Sequence, residues 1–362
     1  MYRKKLIKPD GRNLILYSRY PISNDIIATN PKDEGVKANP HMRWHPLRKE
    51  WVIYASHRQN RTFLPPKDYS PLKVTDDEKF PTELPRGNYD VAVFDNLFPS
   101  MTTSADATSP VYLKSRPSNG ICEVIVFTQD PEKSLGELPL AQIKLILEVL
   151  AERTKEIASN PEIKYVMPFE NRGVEMGVTL HHPHGQIYAY PFIPPLAAQV
   201  MNSMKEFFKE NGKNLLGEMI QEEMKAEQRI IAENDYALSF IPACARYPYE
   251  TWVTTKRNVP HLHECTPQEF HDLAICLKTT LMKFDKLWNR PFPYLMTLMQ
   301  APVNDGNTEY AHFYFQIYPP YRTQERLKFL AGTELGAGIF VNDSLPEEKA
   351  KELQAVQVEI NL

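Results

Sequence analysis

The sequence predicts an α+β chain of two similar halves, each a mainly antiparallel sheet with a helix packed on it. Three observations lead there. A series of strand, helix, strand and strand is read twice along the chain, and each copy holds one long amphipathic helix. The strands that close the copies also share Gln-Ile-Tyr, as Gln186-Ile187-Tyr188 and Gln316-Ile317-Tyr318. Because the match falls at the same place in the same order of elements, it reads as an internal duplication. In that register His182 pairs with His312 and His184 with Tyr314, so one copy alone keeps its chemistry.

Residues 1–38 are polar and punctuated by Pro21, Asn30 and Pro31, and read as an N-terminal arm that reaches over something else. The first strand is Trp51 to Ala55. Prolines and charges make a loop of Phe63 to Arg86, after which Tyr89 to Phe94 and Cys122 to Phe127 resume a β pattern. From Leu138 to Ala158 the apolar residues Leu140, Ile143, Leu147, Leu150 and Ala151 recur at helical spacing with charges opposite, as in a helix lying on a sheet. Strands at Ile163 to Phe169 and His182 to Tyr190 complete a first half, 39–195. Pro194 opens a largely helical region to about Glu233, a connection over 196–235. The second half, 236–362, has a strand at Tyr249 to Thr255, a helix opened by Thr266-Pro267-Gln268-Glu269 and running to Trp288, and strands at Tyr294 to Gln300 and His312 to Tyr318.

Composition narrows the function. With 42 Lys plus Arg against 45 Asp plus Glu in 362 residues, the net charge of −3 lacks the counter-charge that a nucleic acid or an anionic membrane demands. Neither partner is expected. The N-terminus breaks its apolar stretch with Lys8, Asp10 and Gly11, so no signal-peptide core follows. Four cysteines form no C-x-x-C pair, and a chain of this size needs no disulfides. A reducing, cytoplasmic setting is therefore expected. The 31 prolines against 14 glycines point to fixed, extended connections.

Chemistry concentrates in His181-His182-Pro183-His184-Gly185-Gln186. Side chains alternate along a strand, which puts His182, His184 and Gln186 on one face. Pro183 implies an edge or irregular strand, and Gly185 leaves room for a helix or ligand to approach. Three of the ten histidines within four residues count against a chance cluster on a surface strand. Metal ligation is one reading, although no further ligands stand nearby. The other is nucleophilic catalysis at phosphorus, in which a neutral imidazole attacks, a neighbour fixes its tautomer and a polar group holds the phosphoryl oxygens.

The wider pattern resembles the galactose-1-phosphate uridylyltransferase family of the histidine-triad superfamily. The resemblance lies in Phe169-Glu170-Asn171-Arg172-Gly173, Met176-Gly177 and His182-Pro183-His184-Gly185-Gln186-Ile187. It extends to Asn39-Pro40-His41, to His57-Arg58 with Arg61, to Phe94-Asp95-Asn96 with Phe98, and to Lys328-Phe329 with Gly332-Thr333-Glu334. It implies two histidine-triad-like halves and exchange of UMP between UDP-glucose and galactose 1-phosphate through a uridylyl-histidine. His184 would be the nucleophile, with His182 and Gln186 beside it. Gln186 stands where hydrolase branches carry a third histidine; an amide can hydrogen-bond phosphoryl oxygens but cannot take a proton from water, which favours transfer. Arg58 and Arg61 would meet the nucleotide phosphates, Asn96 and Asn171 would hold phosphate, ribose or base oxygens, and Phe94 and Phe98 would wall the uracil. Gly177 and Thr179 would contact the phosphate side, and Lys328 and Glu334 the hexose and its phosphate, reaching across a homodimer.

The chain also departs from the resemblance. Many relatives hold a structural zinc with a C-x-x-C pair, a further histidine and the first histidine of the His-Pro-His run; here His182 alone remains, and Phe63 to Pro85 holds no cysteine. A second metal site of some relatives is likewise missing, with Met299, Gln300, Tyr314 and Gln316 at the ligand positions. No metal or other cofactor is expected to be required, although His312, His261 and His263 leave room for an unforeseen site. The alternatives are an adenine-nucleotide phosphorylase or transferase of the same superfamily and a non-catalytic nucleotide-binding module.

Overall fold

Antiparallel pairing runs unbroken through both halves of the protein. The structure is a computed structural model and describes residues 1–31, 35–61 and 70–360. In chain order the elements are β1 (Tyr2–Ile7), β2 (Asn13–Ser18), β3 (His41–His45), β4 (Glu50–Tyr54), β5 (Val91–Asp95), β6 (Ser115–Pro117), β7 (Ile121–Val126), α1 (Leu140–Ala158), β8 (Tyr165–Arg172), β9 (His184–Tyr190), α2 (Pro195–Asn211) and α3 (Leu215–Ala226). They continue with β10 (Ile230–Glu233), β11 (Ala237–Phe240), β12 (Thr251–Thr255), α4 (Pro267–Leu287), β13 (Tyr294–Met299), β14 (Tyr314–Tyr318), the ribbon β15 (Tyr321–Thr323) and β16 (Arg326–Leu327), and α5 (Pro346–Ala355). Eleven of the strands form one sheet in the order β1-β2-β5-β7-β9-β8-β13-β14-β12-β11-β10.

That order is symmetric about the β8–β13 pair, with β8-β9-β7-β5 on one side and β13-β14-β12-β11 on the other. The register repeats as well. One transverse row runs Phe94, Val124, Gln186, Phe169, then Thr297, Gln316, Trp252. Gln186 and Gln316 thus occupy equivalent places, and the α+β architecture of two related halves agrees with the sequence.

The two faces are covered differently. On one, α1 and α4 pack side by side and bury Ile143, Leu147, Leu273, Leu277 and Leu281 against Ile125, Ile187, Phe315 and Ile317. Thr266 begins α4 by accepting from Glu269 N–H, while the Glu269 carboxylate accepts from Thr266 N–H, so that two end groups of the helix are satisfied. The opposite face is filled in the second half by α2 and α3, whose Met201, Met204 and Ile220 pack with Phe240 and Tyr314. In the first half the same face is lined by Leu14, Leu16, Phe94, Val124 and Val126 under a loop that contributes Leu72 and Leu84. It is here that cavities open.

Two sequence expectations are corrected. The arm expected over 1–38 is replaced, within Tyr2–Ser18, by a hairpin of β1 and β2 whose second strand pairs with β5, from Leu14↔Phe94 to Tyr17↔Val91. β1 is the polar edge strand, and its charges masked the buried run Leu14-Ile15-Leu16-Tyr17 behind it. Leu16→Ala is expected to cost roughly 2–5 kcal/mol of stability, read as a lower urea midpoint; an unchanged midpoint contradicts an integral hairpin. The helical connection also stops early, at Ala226, because the chain then turns back into β10 and β11, two four-residue strands too short to show a period.

Candidate active site

Strand β9 sets the site. Its burial alternates so that His184, Gln186, Tyr188 and Tyr190 share the half-buried face while Gly185, Ile187 and Ala189 face the core. Gly185 is required by its neighbours, since a Cβ there would meet the Phe169 carbonyl at 2.8 Å and the Phe127 ring at 2.9 Å. On the Cβ side the close approach is therefore that of strand β8 and Phe127.

His184 is oriented by the backbone. Its Nδ1–H donates to the His182 carbonyl at 2.6 Å; a carbonyl only accepts, so the proton sits on Nδ1 and Nε2 carries a free lone pair. Burial lowers the pKa of His184, partly offset by that carbonyl, which keeps the ring neutral near pH 7.

His182 does something other than line the same face. The strand begins only at His184, and Pro183 interrupts the alternation on which the sequence reading relied. The His182 ring is 2% exposed and donates from Nε2 to the Thr128 carbonyl at 2.7 Å. Its counterpart His312 is likewise buried, beside the Thr254 and Thr255 hydroxyls. Burial pushes the His182 pKa down to about 4, so it stays neutral, and its contribution to His184 is made through the main chain.

Three cavities meet at His184, the only described residue that lines all of them. The first, of about 170 Å³, is bounded by Arg58, Arg61, Asn171, Gly177, Thr179, Gln186 and Tyr188, which include two guanidiniums and no carboxylate. Arg58 is braced by donating to the Phe98 carbonyl at 2.7 Å and to Tyr188 Oη at 3.3 Å. Gln186 Oε1 accepts from Asn96 Nδ2 at 3.4 Å, which leaves the Gln186 amide N–H groups as the donors available to an anion. Gly177 adopts φ 75°, a left-handed conformation, as the chain turns beside this cavity.

The second cavity, also about 170 Å³, has apolar walls from Leu72, Phe94, Leu97, Phe98, Val124 and Leu180, with Asn96 and Glu83 among them. Asn96 Oδ1 accepts from Phe98 N–H at 2.8 Å and so fixes the turn that carries both residues. The third and largest, about 520 Å³, is polar, with Lys133, Glu137, Arg172, Glu175 and His181 around Asn171. Asn171 Nδ2 donates to the Met176 carbonyl, and its Oδ1 is buried without a partner. A bare acceptor suits a hydroxyl donor, which fits the ribose among the groups expected of Asn171.

Lys328 and Glu334 are not brought to the site. They line none of the three cavities and pair with each other at 3.3 Å in their own loop. Hydrogen bonds from Ala331 N–H and the Thr333 hydroxyl lower the Glu334 pKa to about 2, so the carboxylate stays ionised. Sequence reasoning missed Tyr188 and Glu83. Tyr188 was accessible to the same alternation that picked out Gln186, two residues on. Glu83 had no local signal: its carboxylate meets Lys8 Nζ at 2.5 Å and Arg12 Nη2 at 3.0 Å, cations supplied by the unforeseen hairpin.

The surroundings of His182 do not fit the structural zinc of the resemblance. Its Nε2 is committed to Thr128, the chain supplies no cysteine in Phe63 to Pro85, and the one cluster of three metal-ligating side chains among the described residues lies elsewhere. Part of that stretch, 63–69, is outside the described residues.

Fold and site define a class: a two-half α+β enzyme with a neutral imidazole set beside an arginine-lined cleft. Comparison with known proteins is specific. The N-terminal domain of galactose-1-phosphate uridyl transferase matches residues 29–194 and its C-terminal domain residues 200–361. The chain belongs to this family. It is 36% identical over 326 residues to galactose-1-phosphate uridylyltransferase of Thermotoga maritima, covering 88% of this chain and 99% of that protein. A solved uridylyltransferase superposes with a TM-score of 0.78 at 32% identity, over 87% of this chain and 97% of that one. An Arabidopsis thaliana ADP-glucose phosphorylase solved with ADP-glucose gives 0.68 at 27% identity, over 88% and 100%. The β1–β2 hairpin precedes the residues matched to the family.

Proposed function

We propose that this protein transfers UMP from UDP-glucose to galactose 1-phosphate by double displacement. The observation that carries the reading is the carbonyl-fixed tautomer of His184, whose free Nε2 lies between the guanidinium cavity and an apolar pocket. In the first step Nε2 attacks the α-phosphorus, a P–N bond forms, and the P–O bond to glucose 1-phosphate breaks. In the second the phosphate oxygen of galactose 1-phosphate attacks, and the P–N bond returns its electron pair to Nε2. Leaving group and acceptor are both phosphate anions, so neither step needs a strong general acid or base. Arg58, Arg61, Thr179 and the Gln186 amide would hold the phosphoryl oxygens; Phe94, Asn96 and Phe98 would hold the nucleoside, and Asn171 a sugar hydroxyl. Membership of a family of uridylyltransferases supports the same reading.

The experiment is intact mass after mixing with UDP-glucose and no acceptor, and separately with ADP-glucose. One uridylyl group, removed on adding galactose 1-phosphate, is the expected result. An adenylyl group instead, released by inorganic phosphate, would assign the protein to the phosphorylase activity named for the Arabidopsis relative. The kcat/KM for UDP-glucose should rise from acid pH as His184 loses its proton and level off with a midpoint below the ordinary histidine value of 6.5, because burial lowers that pKa. A midpoint at or above it contradicts a buried neutral nucleophile.

Transfer should need no metal, so chelator-treated protein should keep its rate. A homodimer is supported by the loop that holds Lys328 and Glu334, where Phe329, Leu335 and Ile339 are 74%, 69% and 64% exposed. A second copy would cover these residues and bring the loop to the partner's site, an arrangement sedimentation would test. No helix among the described residues is long and apolar enough to cross a membrane; the four free thiols favour the cytoplasm.

A further inference from the structure

Between β12 and α4 the chain reads Pro260-His261-Leu262-His263-Glu264, and its centre is the 3-10 turn Leu262–Glu264. One ligand atom from each of His261, His263 and Glu264 lies within 4.8 Å of the others, the only such trio of histidine, cysteine or carboxylate among the described residues. None of the three lines a cavity that touches His184. His312, which the sequence associated with this pair, stands apart with Thr254 and Thr255.

The trio is arranged as a binding set. His261 is buried, with its Nε2 3.2 Å from the Pro302 carbonyl and its Nδ1 2.7 Å from Glu264 Oε1. A neutral imidazole has one proton for these two acceptors, so the other nitrogen needs a further proton or a cation. An extra proton on His261 would satisfy this contact alone. It would do nothing for His263, whose Nδ1 is buried with no hydrogen-bond partner. A metal ion accounts for all three groups together. The carbonyl behind His261 is the support that a metal-bound imidazole ordinarily has.

We propose that His261, His263 and Glu264 bind one divalent ion of the zinc type, with water in the fourth position. Two imidazoles and one carboxylate suit a borderline metal and are poor for magnesium or calcium, which favour all-oxygen sets. Ligands about 2.0–2.1 Å from zinc at tetrahedral angles stand roughly 3.3 Å apart. The Glu264 side chain, 44% exposed, is free to open by that half ångström, and the wider separations of the trio, which lie within 4.8 Å, would close on binding. The ion would tie the β12–α4 connection to the Pro302 loop. It has no part in the transfer reaction and does not rest on that reading.

The test uses the full chain stripped with chelator and titrated with Co²⁺, whose four-coordinate visible absorption reports this geometry. One equivalent should give a saturating band that Zn²⁺ abolishes. His263→Ala and Glu264→Gln should each remove the band and weaken Co²⁺ binding by about 100-fold or more, with unchanged circular dichroism and transfer rate. His184→Ala should keep the band. No band in the native chain, or a band that survives His263→Ala, would overturn the proposal; a band lost only in His184→Ala would assign the metal to the active site and overturn it equally.

Discussion

His184→Ala is expected to lower transfer by about 10⁴-fold or more while UDP-glucose still binds. On the proposed mechanism the variant loses the lone pair that would attack phosphorus. It keeps Arg58, Arg61, Gln186 and the Phe94 pocket, which on that reading would supply the ground-state contacts. No uridylyl group should be gained on mixing with UDP-glucose. The neighbouring rings offer no substitute: the His182 Nε2 is committed to the Thr128 carbonyl and its Nδ1 is buried, and His181 borders only the large polar cavity. Persistence of the adduct would place the nucleophile elsewhere, whereas loss of both adduct and binding would show that the ring has a mainly structural role. Equilibrium binding of UMP, measured beside the mass, separates the two.

The sequence carried the helices and central strands because their signals are local. α1 and α4 show a full apolar stripe over five turns, and β9 alternates cleanly from His184 to Tyr190. Failures came where one element's pattern depends on another. Lys8, 2% exposed, reads as a surface lysine until Glu83, 75 residues away, is seen to receive it. The run Leu14 to Tyr17 was hidden by its own polar edge strand. His182 was placed on the reactive face because period-two alternation was carried through Pro183, which ends the ladder. The Arg58 and Phe98 pair was anticipated as two separate contacts, and the structure joins them, since the guanidinium is held by the Phe98 carbonyl.

The duplication also explains why one half is open. Gln186 and Gln316 are register equivalents, yet in the second half α2 and α3 close over Tyr314 and Trp252, and Gln316 donates to Glu250 at 2.5 Å rather than facing a cavity. An imidazole at Tyr314 would have no space for a phosphoryl group. In the first half the helical pair is absent, the loop bearing Leu72 and Leu84 packs on part of this face, and the row Phe94, Val124, Gln186 and Phe169 is left as a floor beside the cavities.

On that floor the second large effect is expected. Gln186→Ala should slow both half-reactions by about 10²–10³-fold, because on the proposed mechanism its amide donors strengthen as charge builds on the phosphoryl oxygens in each transition state and relax when the product departs. The contact from Asn96 to Gln186 Oε1 holds the amide with its N–H groups outward, so no energy is spent turning it during the step. Rapid-quench measurement of uridylylation by UDP-glucose and of discharge by galactose 1-phosphate resolves the two rates. Equal losses identify a group acting in both transition states; a raised KM with unchanged rates would instead make Gln186 a ground-state contact. Gln186→His supplies the complementary case. An imidazole there can accept a proton from water, so the uridylyl intermediate should acquire a slow hydrolytic leak, seen as glucose 1-phosphate released beyond one equivalent with no acceptor present. If the His variant leaks no faster than the native chain, the amide is not what protects the intermediate, and exclusion of water by the walls of the cavity must account for it.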